Sequence, residues 1–139
     1  MAEEPNENTA YVIDFEALDE RGRSAAFMVR SRMCWLCRQA ADEEDDPVGK
    51  LEDHLERIRT DCAERPDYLL PGTPLTEAIF RILLAEGNRP MTIREIQDRL
   101  SSAWASVIYM KDLSADLLAR MLDNPNEYMI RRAEPANVG

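Results

Sequence analysis

The chain has 139 residues, 45% of them apolar and 32% charged, with a formal net charge of −10. That length supports one compact domain or two small ones sharing a surface, and no run approaches the roughly 18 consecutive apolar residues of a membrane span. Nine Lys/Arg face eighteen Asp/Glu in residues 1–73, against eight and nine in residues 74–139. A uniformly basic surface that clamps nucleic acid by counterion release is therefore excluded, and any phosphate contact falls to a local patch in the second half.

Residues 1–9 are acidic and polar and include Pro5, the opposite of a secretory signal. They read as a disordered tail, and the chain reads as cytoplasmic. From Tyr11, the residues Val12, Ile13, Phe15 and Leu18 suit a short helix starting near Asp14, a good N-cap, and ending at Gly22. Ser24 caps a second helix carrying Phe27, Met28, Val29 and Met33. Arg21, Arg23, Arg30, Arg32 and Arg38 form the one basic concentration in this half and read as solvated helix faces paired with carboxylates. Asp42 to Asp46 are five contiguous acids followed by Pro47 and Gly49, an exposed loop. Residues 48–64 return to helix, with Leu51, Leu55, Ile58 and Cys62 as an apolar stripe. Pro66 stops it, and residues 68–72 form a linker.

The second half carries the strongest periodicity. Thr73 reads as an N-cap with Pro74 at the first helical position. Leu75, Ala78, Ile79, Ile82 and Leu83 then make a core-facing stripe that ends at Gly87 and Asn88. Thr92 and Glu95 form a capping box before Ile96 and Leu100. Residues 101–113, with Trp104 and Tyr109, fit either helix or strand, and the two aromatics either plug the core or anchor a partner. Ser114 caps a third helix with Leu117, Leu118, Met121 and Leu122. After the turn at residues 123–126, residues 127–132 read as a single strand.

Three cysteines in a cytoplasmic chain argue against a disulfide framework. Cys34-Trp35-Leu36-Cys37 has the C-x₂-C spacing whose tight turn lets two thiolates grip one ion. The chain's single histidine, His54, and Cys62 follow. These four residues are the candidate ligands of a structural Zn²⁺, with buried free thiols and redox chemistry as alternatives. His54 poses a difficulty, because an unbroken helix from 50 to 63 separates it from Cys62 by about 12 Å along the axis. Either the helix breaks or His54 stands aside, and Asp61, Glu64 or water completes the site.

The succession of helix, Pro90-Met91 step, Thr-Ile-Arg-Glu-Ile helix entry, connection, helix and strand over Leu75 to Glu134 resembles winged-helix domains. With the Cys34-x₂-Cys37 region, the chain resembles an uncharacterised bacterial family that pairs a small cysteine-containing domain with a winged helix. The resemblance implies a mainly α fold. Residues 10–70 would form a helical, zinc-stabilised part and 71–134 a winged-helix-like domain with a reduced wing, since one strand follows the third helix; 135–139 would be a tail. It further implies a DNA-associated transcriptional regulator whose third helix enters the major groove. Lys111, Arg120, Arg131 and Arg132 are then the nucleic-acid-binding candidates. The alternative is a non-enzymatic adaptor whose winged helix and acidic half bind a protein partner, and a homodimer is compatible with either. An enzyme is not expected: there is no glycine-rich phosphate loop, no G-x-S-x-G and no H-E-x-x-H.

Overall fold

Local signals place most helix starts. In the computed structural model, which describes residues 6–43, 49–104 and 114–133, the Asp14 carboxylate accepts the Ala17 N–H and opens α1 (Phe15–Glu20). Gly22, at φ 78, ends that turn, as glycine does without a side-chain clash. The Ser24 hydroxyl accepts from Phe27 and opens α2 (Ala25–Arg30). Two further helices, α3 (Trp35–Asp42) and α4 (Leu51–Thr60), follow, and a short 3₁₀ turn spans Cys62–Glu64. The predicted helix over 48–64 is thus two pieces, because Asp61 leaves the helical region at φ −133, ψ −61.

In the second half, α5 (Leu75–Ala85) buries seven consecutive or interleaved residues from Ala78 to Ala85. Thr73 does not cap it; its hydroxyl donates back to the Leu70 carbonyl. The capping box at Thr92 and Glu95 is complete and opens α6 (Ile93–Ala103). Ser114 caps α7 (Ala115–Asp123) through the Leu117 N–H. Trp104 is buried and donates its Nε1–H to the Leu69 carbonyl, so it is a core plug. Tyr109 lies outside the described residues, as do the tail over 135–139 and most of the acidic run from 42 to 46. The protein is mainly helical, with one small sheet.

That sheet has antiparallel order β2-β1-β3, with β1 (Ala10–Ile13) between β2 (Met91–Thr92) and β3 (Ile130–Arg132). The sequence reading had no strand at 10–13. Its partners stand some 80 and 120 residues downstream (Tyr11 pairs with Met91 and with Arg132), so a four-residue alternation carried too little local signal. Residues 6–9 are also not a loose tail. The Thr9 and Glu7 carbonyls accept the N–H groups of Ile93 and Arg94, donors that the first turn of α6 leaves without intrahelical partners. Residues before 71 and after it therefore share one sheet and one continuous cluster of buried side chains.

Two asparagine amides close the sheet. Asn126 accepts the Ile130 N–H through Oδ1 at 3.0 Å and donates Nδ2–H to the Ile130 carbonyl at 2.9 Å. Asn88, held at φ 59, does the same for Ile13, both contacts at 2.9 Å. Each primary amide stands in for a peptide group of an absent strand, and bare strand edges otherwise template self-association. Asn126→Ala should cost about 1–2 kcal/mol, the scale of two lost bonds to partly buried groups. It should also promote dimers visible in sedimentation velocity; a variant with unchanged midpoint and unchanged sedimentation would contradict this role.

A charged junction ties the two halves. Glu77 on α5 takes Arg32 in a two-pronged pair at 3.1 and 2.7 Å, the Arg81 Nε–H at 2.9 Å and the Tyr128 hydroxyl at 2.8 Å. The Arg32 guanidinium also lies 5.0 Å from the Phe80 ring centroid, within cation–π range.

Candidate metal centre

The Sγ atoms of Cys34, Cys37 and Cys62 lie within 4.8 Å of one another. Three local features bring them together. Cys34 is the N-cap of α3, its backbone extended at ψ 163, and Cys37 follows on the first turn of that helix. Cys62 opens the 3₁₀ turn after α4, and α4 packs against α2. The Cys34 N–H donates to Cys62 Sγ at 3.0 Å. Such backbone donors are what a multi-thiolate site needs to hold its charge.

The electrostatics are uneven across the three thiols. Burial pushes Cys37 well up, reinforced by its hydrogen bond to Asp61. Burial also raises Cys62. At Cys34 burial is outweighed by the Cys37 backbone N–H, by the neighbouring thiols and by the Arg65 guanidinium, which together pull it below the ordinary cysteine value. Cys34 is thus the most acidic of the three, and a nearby positive charge would favour the thiolate form of the other two. A metal ion supplies that charge. Three cysteines this close could hold a metal ion.

His54 is not brought to the group. It is buried at 1% exposure in α4, which runs unbroken past it to Thr60. Its imidazole packs on Gly49, where an added Cβ would meet the ring at 2.6 Å. The histidine therefore seats the start of α4, a role invisible in ligand-type counting. A carboxylate instead touches the cysteines: Asp61 Oδ2 lies 3.1 Å from Cys37 Sγ.

The nucleic-acid candidates are dispersed. Lys111 lies outside the described residues. Arg120 is exposed on α7. Arg131 pairs with Asp14 at 3.2 Å, and Arg132 grips both oxygens of Asp123, at 2.9 and 2.7 Å. Arg131 and Arg132 line a groove of about 590 Å³ with Arg21, Asn124 and Asn126, which Arg120 does not join.

Sequence reasoning missed one exposed feature. Trp35 and Leu36 are 63% and 52% exposed and border a crevice of about 500 Å³ with Cys34, Arg65, Pro66 and Asp67. The signal was present: when two thiolates of a C-x₂-C turn face inward, the residues between them face out. No family model, no curated protein and no solved structure matches the chain.

Proposed function

We propose that the protein is a zinc-stabilised, non-enzymatic protein-interaction module, and that its winged-helix-like second half serves as scaffold. The observation that carries this reading is the exposed Trp35-Leu36 pair standing on the cysteine turn. An aromatic held rigidly in solvent makes an efficient anchor at an interface. The surrounding half of the chain carries eighteen acidic residues against nine basic ones. Beside Trp35 itself the crevices carry Arg38 and Arg65 against Asp67, so an apolar pocket, more than charge, selects the partner. The helix–strand–helix–helix–strand order of residues 75–132, with β1 in the place of a missing wing strand, supports the winged-helix likeness. It also leaves no hairpin between β1 and β3 to project as a wing.

The second reading, a DNA-associated regulator, draws support from the groove flanked by Arg21, Arg131 and Arg132 at the end of α7. It is the weaker one, because Arg131 and Arg132 already have carboxylate partners and α7 offers Asp116 beside Arg120. The test is fluorescence anisotropy with a random-sequence duplex from about 50 to 200 mM salt, the range over which phosphate contacts weaken steeply. The adaptor reading expects no binding at the lower salt. It further expects that Trp35→Ala keeps the wild-type melting temperature yet loses the species that wild-type protein retains in parallel pull-downs. Micromolar, steeply salt-dependent DNA binding would move the assignment to the regulator.

A further inference from the structure

We infer that Asp61 supplies the fourth ligand, so that the metal sits among three thiolates and one carboxylate. This rests on the metal reading above and concerns which donors complete the site. The contact between Cys37 Sγ and Asp61 Oδ2 is 3.1 Å. Neighbouring ligands of a tetrahedral zinc, one sulfur at about 2.3 Å and one oxygen at about 2.0 Å, stand roughly 3.5 Å apart. Asp61 is not in the group whose ligand atoms all lie within 4.8 Å of one another, so its carboxylate closes on Cys34 and Cys62 only as an ion is bound. Cys37 donates its thiol proton to Asp61 Oδ2. A bound ion would displace that proton to solvent and be held by the same sulfur and oxygen.

Chain geometry favours the same residue. Asp61 ends α4 and immediately precedes Cys62, so both side chains leave from one turn where the helix has broken. The other carboxylate oxygen, Oδ1, faces the Arg65 guanidinium at 3.5 Å, which leaves Oδ2 for the ion and fixes the carboxylate plane. Arg65 also faces Cys34. Three thiolates and a carboxylate around a divalent ion carry two net negative charges, and this arginine offsets part of them. His54 stands outside the group of three sulfurs. Asp67 borders the crevice on the Cys34 side and serves as the control acid.

The experiment loads Co²⁺ into the full-length wild-type protein and into Asp61→Cys, Asp61→Asn and Asp67→Asn. Wild type should show the near-ultraviolet thiolate-to-cobalt band of three sulfurs. Asp61→Cys should raise its intensity by about one third as a fourth thiolate enters. Asp61→Asn should weaken Co²⁺ affinity at least about tenfold, and Asp67→Asn should match wild type. The Asp61→Cys spectrum decides the matter: an intensity equal to wild type overturns the assignment and leaves the three-cysteine site standing, whatever Asp61→Asn does. A wild-type protein that gives no thiolate-to-cobalt band overturns the metal reading itself.

Discussion

Glu77→Ala is expected to destabilise the protein by about 3 kcal/mol, because it strands two half-buried guanidiniums without their shared anion. The Glu77 carboxylate is only 15% exposed, and Arg32 and Arg81 are 17% and 27% exposed. Water therefore replaces the lost partner poorly at either arginine. For a chain of this size the loss corresponds to a fall in melting temperature of about 10 °C. The acid limb of the stability curve carries the same information. Burial pushes the Glu77 carboxyl up, but Arg32, Arg81 and Tyr128 outweigh it and hold the group below the ordinary glutamate value. Its stabilising contribution is therefore complete above the unfolded value near 4.3 and is lost as pH falls through the lower folded value. Glu77→Gln should keep the shape and remove that portion of the acid transition. A Glu77→Ala protein that melts within about 2 °C of wild type, on the same scale, would show the junction to be ornamental.

On the proposed zinc reading, chelation is expected to have the other large effect. Elemental analysis of untagged protein should give about one zinc per chain, and none in Cys34→Ser/Cys37→Ser. Structural zinc contributes folding free energy directly, so chelation should lower the melting temperature by about 10 °C or more, given the usual conversion. Loss of amide protection should begin in α3 and in the 3₁₀ turn at Cys62, the two elements that the three sulfurs pin together. A chelated protein that melts like the isolated one would refute the structural role of the site and leave one half-buried and two buried thiols to be explained by packing.

Much of the helical fold was legible because its signals are local. Asp14, Ser24, Thr92 and Ser114 all cap the helices their positions announce. Ile79, Ile82, Leu83, Ile96, Leu100 and Leu118, read as core from their spacing, are fully buried; Leu75 and Met121 only partly so. What escaped depends on distant partners. Four residues at 10–13 become a central strand only through residues 91–92 and 130–132. The bonds of Asn88 and Asn126 to the strands exist only once the sheet does. At the site, residue type and the C-x₂-C spacing identified the three cysteines. Type alone also nominated His54, which stays outside the group of three sulfurs although the helix breaks between it and Cys62. Asp61 was one of several acids in reach by count, and only the break after Thr60 turns it toward Cys37.

The central position of β1 governs when the protein can finish folding. Its strand leaves the ribosome before either partner, and Tyr11 must wait for Arg132. At roughly 5–20 residues per second, synthesis of the intervening chain takes about 6–24 s. Until residue 92 has been made, Tyr11 and Ile13, both destined for the interior, have neither neighbour strand available, and β3 arrives some 40 residues later. The helices can form as they emerge, but the sheet closes last, by long-range pairing that is intrinsically slow. Nascent chains of this protein therefore carry an open strand until residue 132 has emerged, a natural handle for chaperones that bind extended apolar segments.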